Sequence, residues 1–331
     1  MFKKIFVIGS NSFSANSFIN FVLNKNIKII GVSRSKENNQ VLRSYKNNTH
    51  IKNFKFYRLN IIKDLLKIIE LIDKFKPDVI LNYSAQGDVR HSWRNPIEWY
   101  NTNCTSVVNL SNHLINKKYL KKYISISTPE VYGSSLTKIK ETNFFNPSTP
   151  YAASKLSGDL HLLTLFKKYN FPVIFTRSSN VYGPYQQLYR IIPKTIINLK
   201  LGKKIELHGE GKALRDFVHI NDVSNAVHKL INNGKIGEVY NIATNKKLIS
   251  IYELVKKICH LLDKDFESSI ILKKENYGQD HIYNLDTHKI RKSIKWSENY
   301  SLEKGINETI FWVDNNWKKI IKMPHEYVHK K

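Results

Sequence analysis

Tyr151 and Lys155 are the residues of this sequence best suited to proton transfer, because they lie four positions apart in the run Tyr-Ala-Ala-Ser-Lys. Residues with this spacing share one face of a helix, which places the ammonium group beside the phenol. A neighbouring positive charge stabilises a phenolate, so we expect Lys155 to lower the pKa of Tyr151 toward neutrality. Solvated helix faces often carry the same spacing, and the interpretation therefore depends on the surrounding motifs.

A dinucleotide-binding turn is predicted at the start of the chain. The pattern predicts a buried strand over Lys3 to Ile8 and a helix over Asn16 to Leu23, with Gly9, Ser12 and Ala15 at the three positions that usually hold glycine. The two replacements are small, so a pyrophosphate can still approach the helix N-terminus, and the Ser12 hydroxyl can contact a phosphate. We therefore predict an α/β fold built on a Rossmann-type, doubly wound parallel sheet.

The second predicted strand, Ile27 to Val32, ends in Ser33-Arg34-Ser35. An acidic residue at this point would bind the ribose hydroxyls of NAD, whereas an arginine flanked by hydroxyls attracts the 2′-phosphate of NADP. NADP is the favoured cofactor, and NAD is the alternative.

The next two predicted strands, Phe54 to Leu59 and Val79 to Tyr83, end in further candidate cofactor contacts. The side-chain oxygen of Asn60 is expected to accept a hydrogen bond from the adenine amine, and the small-residue turn Ser84 to Gly87 is expected to lie against the cofactor. The predicted cofactor-binding residues are Gly9, Asn11, Ser12, Phe13, Ser14, Ser33, Arg34, Ser35, Asn60, Ile61, Ser84, Ala85, Gln86, Tyr151 and Lys155.

A fifth predicted strand, Tyr123 to Ser127, leads into Thr128-Pro-Glu-Val-Tyr-Gly133. Together with Tyr151 and Lys155, this segment resembles the extended short-chain dehydrogenases/reductases. Three later segments resemble the nucleotide-sugar 4,6-dehydratases of that family, those of the dTDP-glucose and GDP-mannose types in particular, and they occur in the family's order over nearly the whole chain. These segments are residues 177–193, 215–220 and 278–283.

The resemblance implies a mechanism. Tyr151 would take the proton of the hydroxyl at carbon 4 of a hexose, Thr128 would bind the same oxygen, and Lys155 would hold the nicotinamide ribose. Glu130 would remove the hydrogen at carbon 5, after which water leaves from carbon 6 and the hydride returns there. The predicted catalytic residues are Thr128, Glu130, Tyr151 and Lys155.

The resemblance also implies a smaller C-terminal lobe that binds the nucleotide sugar. Residues 1–180 are expected to form the NAD(P)-binding domain, and residues 181–331 mainly the substrate lobe, interleaved with the first. Guanidinium groups suit a diphosphate, which favours Arg190 and Arg215 as its ligands. The predicted substrate-binding residues are Gln86, Thr128, Asn180, Arg190, Arg215 and Gln279.

Pro129 departs from the dTDP-glucose type, in which an aspartate at this position protonates the departing hydroxyl. Proline has no proton to give, so Glu130 or a held water must serve if dehydration occurs. A 4-epimerase or a UDP-glucuronate decarboxylase needs no such acid, and both remain open as alternatives. An inactive scaffold is a further alternative, although four reactive groups are present.

Composition excludes few classes of protein. The chain has 331 residues, 41% of them hydrophobic, and 53 Lys and Arg against 27 Asp and Glu give a formal net charge of +26. Such a charge is compatible with nucleic-acid binding, but the lysines are scattered without a basic arm, so specific nucleic-acid binding is not expected. A basic field also attracts dianionic nucleotide sugars.

The expected compartment is the cytoplasm. No signal peptide precedes the first predicted strand, and no stretch approaches the roughly 20 apolar residues that span a bilayer. Cys104 and Cys259 are far apart and lack metal-type spacing, so neither a disulfide nor a metal site is predicted.

The resemblance further implies a homodimer formed through a four-helix bundle. Its helices would be residues 99–116 and 151–169 of each copy. An apolar seam is predicted along the second helix, although an internal core would give the same pattern. The seam residues are Leu156, Leu160, Leu163 and Phe166.

Overall fold

The computed structural model describes residues 2–274 and 282–329. Its strands are β1 (Lys4–Ile8), β2 (Lys28–Ser33), β3 (Phe54–Arg58), β4 (Val79–Asn82), β5 (Lys122–Ile126), β6 (Val173–Ser178), β7 (Asn180–Tyr182), β8 (Ile205–His208), β9 (Leu214–Arg215), β10 (Phe217–His219), β11 (Val239–Ile242), β12 (Ile249–Ser250) and β13 (Ile270–Lys273). Seven strands form one parallel sheet in the order β11-β6-β5-β4-β1-β2-β3. The predicted doubly wound α/β fold is confirmed.

The helices connect these strands. They are α1 (Phe13–Leu23), α2 (Leu65–Phe75), α3 (Val89–Ser92), α4 (Pro96–Tyr100), α5 (Ser106–Leu114), α6 (Pro150–Tyr169), α7 (Ile191–Lys200), α8 (Ile220–Asn233), α9 (Ile251–Leu261), α10 (Phe266–Ser269), α11 (His288–Ile294), α12 (Leu302–Asn315) and α13 (Trp317–Ile320). A π-helical turn, Asn101–Thr105, joins α4 to α5 and makes one long, irregular helical segment.

Local sequence accounts for several element boundaries. The Ser12 hydroxyl oxygen accepts a hydrogen bond from the amide of Ala15, so α1 begins at Phe13, three residues before the predicted start. The Ser250 hydroxyl likewise accepts from the amide of Glu253 at 3.0 Å and caps α9. Strand ends differ from the predicted ones by one residue, as expected where hydrogen-bond ladders fray.

Helices cover both faces of the sheet. On one face, α1, α8 and α11 bury a cluster that includes Phe18, Leu230 and Trp296. On the other face, α2, α5 and α6 bury a cluster that includes Ile72 and Leu162. Burial of the sheet on both sides explains why its central strands are apolar almost without interruption.

A second core lies beyond the sheet, among α7, α9, α10, α12 and α13. We call the seven-stranded sheet with its helices the first lobe and this second core with its elements the second lobe. The two lobes exchange segments, because Val41 from the β2–β3 connection is buried in the second core, where the Trp312 indole donates to its carbonyl oxygen at 3.3 Å. In the other direction, α8 and β11 follow residue 180 in sequence but belong to the first lobe.

None of the helices that the structure describes has both the length and the apolar character needed to span a bilayer. Within residues 2–274 and 282–329, no group of three or more His, Cys, Asp or Glu side chains is arranged to hold a metal ion.

Candidate active site

A cleft of about 1370 Å³ opens between the carboxyl ends of the central strands and the second lobe. This is the edge of an open parallel sheet at which ligands bind in doubly wound folds. All predicted site residues among the described ones line this cleft, and the remaining one, Gln279, lies outside the described residues. The structure thus brings together side chains that are up to 206 positions apart in the sequence, from Gly9 to Arg215.

Gly9 makes the turn between β1 and α1 possible. Its φ is +76°, and a Cβ atom at this position would meet the backbone nitrogen of Ser84 at 2.6 Å. Only glycine therefore fits, and the bare backbone leaves room for a phosphate beside the N-terminus of α1. The Ser12 oxygen caps that helix as an acceptor, so its hydroxyl proton remains able to reach a phosphate. The residues present fit a dinucleotide pyrophosphate.

The segment after β2 organises the adenosine end of the cleft. Ser33 Oγ accepts from the amide of Asn11 at 3.0 Å, and Ser35 Oγ accepts from the Asn11 side chain at 3.2 Å. The two hydroxyls thus hold the glycine turn. Arg34 extends into the cleft, where its Nη2 donates to Gln86 Oε1 at 3.3 Å.

Asn60 lies at the same end of the cleft, with its side-chain oxygen already in use. Asn60 Oδ1 accepts from the amide of Ile62 at 2.8 Å and thereby shapes the loop after β3. The predicted hydrogen bond from an adenine amine would have to use the second lone pair of that oxygen.

Helix α6 presents Tyr151 and Lys155 to the cleft. The helix begins at Pro150, and the Thr149 hydroxyl oxygen caps it by accepting from the amide of Ala152 at 3.1 Å. Lys155 Nζ donates to the carbonyl oxygen of Ile126 at 2.9 Å, which fixes the lysine against the end of β5. The Thr128 hydroxyl, just beyond that strand, hydrogen-bonds the phenol of Tyr151.

The pKa of Tyr151 differs from the expectation. Burial raises the pKa of the phenol, the charge of Glu130 raises it further, and the Thr128 hydrogen bond opposes the shift. Burial also lowers the pKa of Lys155. The expectation that Lys155 brings the phenol pKa toward neutrality is therefore wrong, because desolvation disfavours the charged forms of both groups.

A buried carboxylate lies one helical turn beyond Lys155. Asp159 accepts a short hydrogen bond from the Ser127 hydroxyl and contacts Arg177 at 3.4 Å between Oδ2 and Nη2. Its charge raises the pKa of Lys155 and opposes the effect of burial. Asp159 therefore joins α6 to the ends of β5 and β6 beneath the reactive side chains.

Pro129 opens a tight turn, Pro129–Tyr132, after β5. The Thr128 oxygen accepts from the amide of Glu130 at 3.3 Å, so the two side chains are held at a fixed relative position. Pro129 itself is buried and offers no proton to a leaving group. The Glu130 carboxylate is half-buried and lies close enough to Tyr151 to act on its charge.

Two arginines line the second-lobe side of the cleft. The guanidinium of Arg215 lies 5.1 Å from the centre of the Tyr283 ring, and Nη1 donates to the carbonyl oxygen of Leu214 at 2.8 Å. Arg190 immediately precedes α7 and stacks over the Tyr189 ring at 5.3 Å. Aromatic faces thus hold both guanidinium groups where an anionic ligand can reach them.

Sequence analysis missed part of this cleft. Asn103, in the π-helical turn, accepts from the amide of Gln86 at 3.0 Å and donates to its carbonyl oxygen at 3.1 Å, so it positions a predicted ligand-binding residue. No motif marks Asn103, because only the tertiary fold brings it to the loop after β4. Residues that line the cleft itself and were not predicted are Tyr185, Gln187, Tyr189, His208, Lys274 and Tyr327.

Known proteins resemble this chain over most of its length. The family model described as GDP-mannose 4,6 dehydratase matches residues 6–309. A dTDP-glucose 4,6-dehydratase of Haemophilus influenzae is 30% identical over 332 aligned positions, which cover 93% of this chain and 97% of the relative.

Solved structures agree in fold. The dTDP-glucose 4,6-dehydratase of Bacillus anthracis, in complex with NAD, superposes with a TM-score of 0.85 at 30% identity and covers 96% of this chain and 98% of its own. The dTDP-glucose 4,6-dehydratase of Streptomyces venezuelae, also with NAD bound, gives a TM-score of 0.87 at 25% identity over 96% and 100% of the two chains. The chain therefore belongs to the GDP-mannose 4,6 dehydratase family, within the short-chain dehydrogenases/reductases that dehydrate or epimerise nucleotide sugars.

Proposed function

We propose that this protein is a nucleotide-sugar 4,6-dehydratase that converts an NDP-hexose to the NDP-4-keto-6-deoxyhexose. The observation that carries the proposal is the convergence of Thr128, Glu130, Tyr151 and Lys155 on one cleft that also contains the glycine turn. The relatives named dTDP-glucose 4,6-dehydratase support the same reaction class. When bound, a nicotinamide cofactor would supply hydride acceptance from carbon 4 and hydride return to carbon 6.

Side chains of the protein transfer the protons in the proposed reaction. Tyr151, hydrogen-bonded to Thr128, takes the hydroxyl proton from carbon 4 of the hexose. Glu130 removes the proton at carbon 5, which the adjacent ketone has made acidic. Because Pro129 offers no proton, we propose that the protonated Glu130 passes this proton to the departing oxygen at carbon 6, directly or through one water. Carbon 5 would then regain a proton from solvent, delivered by Glu130, when the hydride returns to carbon 6.

Residues around the glycine turn would hold the cofactor. Gly9 and Ser12 would lie at its pyrophosphate, the segment Ser33 to Ser35 at its adenosine ribose, and Asn60 at its adenine. Arg34 supports a preference for NADP, since the segment Ser33-Arg34-Ser35 at the end of β2 contains no carboxylate and the guanidinium lines the cleft. The structures of the relatives from Bacillus anthracis and Streptomyces venezuelae contain NAD, which supports NAD as the alternative. Affinities of the purified protein for both dinucleotides, compared with those of Arg34→Asp, test the preference.

A homodimer through the α4–α5 segment and α6 is also proposed. Of the seam residues predicted on α6, Leu156, Leu163 and Phe166 are partly buried against apolar clusters of their own chain, and Leu160 is exposed, at 42%. Ile97 on α4, at 65% exposed, adds to the apolar surface along these packed helices. Sedimentation of the wild type against Leu160→Glu tests this pairing.

A mass-spectrometric screen tests the activity. The purified protein is incubated with dTDP-glucose, UDP-glucose, UDP-GlcNAc, CDP-glucose, GDP-mannose and UDP-glucuronate, each with NAD and with NADP, and the products are separated by chromatography before their masses are measured. We expect one substrate to lose one water. A product of unchanged mass that separates from its substrate would instead identify an epimerase, and loss of carbon dioxide from UDP-glucuronate would identify a decarboxylase, the two alternatives that Pro129 leaves open.

A further inference from the structure

The C-terminal segment crosses the mouth of the cleft and is attached on both sides of it. Glu326 Oε1 lies 2.7 Å from Nζ of Lys194, which belongs to α7 of the second lobe. Three residues later, His329 Nε2 lies 2.7 Å from Glu98 Oε2 on α4 of the first lobe. The chain therefore spans the opening between the lobes within four residues.

Aromatic contacts strengthen the attachment to the first lobe. The His329 ring stacks on the fully buried Trp99 at 5.5 Å and 7°, and on His91 at 5.6 Å and 3°. The Tyr327 ring meets His91 at 4.9 Å and, on the second-lobe side, approaches Tyr189 edge-on at 5.2 Å and 82°. Such ring pairs favour one defined arrangement of the segment.

Tyr327 faces both halves of the cleft. Together with Val328 it lines the cavity. Its hydroxyl lies within range of the charges of Arg34, on the predicted cofactor side, and of Arg190, on the predicted substrate side. A ligand leaving the cofactor groove past Arg34 would therefore have to pass this tyrosine.

We propose that residues 326–329 form a C-terminal clasp that slows dissociation of the bound dinucleotide, with Tyr327 as the residue that closes the groove over it. The inference rests on the proposed function, since it presumes a nicotinamide dinucleotide in the cleft. A dehydratase returns its hydride within each turnover and has no need to exchange the cofactor, so slow release is compatible with catalysis.

The test is the dissociation rate of NADPH or NADH from the full-length protein, without sugar substrate. The signal is the fluorescence of the bound dinucleotide after addition of excess oxidised form. The variants Tyr327→Ala and His329→Ala open the clasp, and Glu98→Gln weakens it from the other lobe. The matched control is His325→Ala, since His325 Nε2 contacts the Ile320 carbonyl oxygen at 2.9 Å within the second lobe and leaves the crossing intact.

We expect dissociation about tenfold faster in Tyr327→Ala and His329→Ala, because changes at the edge of a binding site act mainly on the dissociation rate. His325→Ala should release the dinucleotide at the wild-type rate, and thermal unfolding should be alike in all variants. Equal rates in the wild type and the three clasp variants would overturn the clasp alone. A wild-type protein that binds neither dinucleotide would overturn the proposed function and the clasp together.

Discussion

The protonation state of the Tyr151 phenol depends on the groups immediately around it. Burial and the charge of Glu130 keep the phenol protonated, whereas the Thr128 hydroxyl and the charge of Arg190 favour its ionisation. Lys155 is held by the Ile126 carbonyl oxygen instead of the phenol. The proton transfer proposed here therefore needs the hydrogen bond from Thr128 and the ligands that complete the cleft.

Replacing Tyr151 with Phe removes only the hydroxyl that takes the proton from carbon 4. We expect turnover of the nucleotide sugar to fall by about 10²–10⁴-fold, the typical contribution of a positioned acid or base. The measurement is product formation by mass spectrometry, with circular dichroism to verify the fold. Tyr169→Phe, at the exposed end of the same helix, is the control and should keep full activity; comparable activity in both variants would refute the role of Tyr151.

Glu130→Gln tests the carboxylate that is proposed to act at carbon 5. The amide cannot take up a proton, so loss of water should slow by about 10²–10⁴-fold. Incubation in heavy water provides the measurement, because the wild type should place solvent deuterium at carbon 5 of the product and the variant should not. Glu70→Gln, on the exposed side of α2, is the matched control; normal deuterium uptake in Glu130→Gln would assign the base to another residue.

At the scale of elements, a close helix contact positions the site. A Cβ atom on Gly158 of α6 would meet the carbonyl oxygen of Asn103 at 2.4 Å, so only glycine lets the π-helical turn approach this closely. Asn103 in turn donates to the Ser154 hydroxyl at 2.9 Å and holds the backbone of Gln86. Packing of α6 thus sets the position of the loop after β4.

Gly158→Ala should push these two elements apart. We expect a loss of about 1–3 kcal/mol in the free energy of unfolding, the usual cost of overpacking a close contact. Urea unfolding measures the loss. Gly87→Ala provides the matched control, because an added methyl group there meets no atom within 4 Å; equal destabilisation by the two substitutions would show that the helix contact is not the cause.

Local patterns predicted strands β1 to β5, the glycine turn and the helix that carries Tyr151 and Lys155, because their signals lie within a few residues of one another. Family resemblance, and not periodicity, predicted the roles of Thr128 and Glu130. Asn103 and Tyr327 could not be predicted, since tertiary packing alone brings Asn103 to the loop after β4 and Tyr327 to the cleft. The apolar pattern on α6 was ambiguous for the same reason, and Leu163 and Phe166 serve the core of their own chain.

At the scale of the molecule, the two lobes meet at buried side chains as well as at the cleft, and His219 is one of them. His219 lies at the start of α8, between the sheet and the second lobe, and its ring stacks on Tyr300 at 3.8 Å. Burial lowers the pKa of His219 to about 4 from 6.5, and the charge of Lys304 adds to the shift. Its Nε2 lies 3.7 Å from the carboxylate of Glu308.

Stability should therefore depend on pH through His219. Between about pH 6.5 and pH 4, His219 is protonated in the unfolded chain and neutral in the folded chain. Its contribution to the free energy of unfolding is therefore fully present above pH 6.5 and is lost as the pH falls toward 4. The loss amounts to at most roughly 3 kcal/mol. His219→Asn retains a helix-capping acceptor without the titration, and urea unfolding from pH 7 to 5 should show a smaller decrease; parallel curves for the two proteins would contradict this assignment.

The proposed 4,6-dehydratase reaction is tested most directly by following the hydrogen atom of carbon 4. The substrate identified by the screen is prepared with deuterium at carbon 4 and converted by the wild-type protein. If the protein is a 4,6-dehydratase, we expect a product that has lost one water and carries the deuterium at carbon 6, because the hydride removed from carbon 4 is returned there. Deuterium still at carbon 4 of an unchanged-mass product, or lost to solvent, would contradict a 4,6-dehydratase.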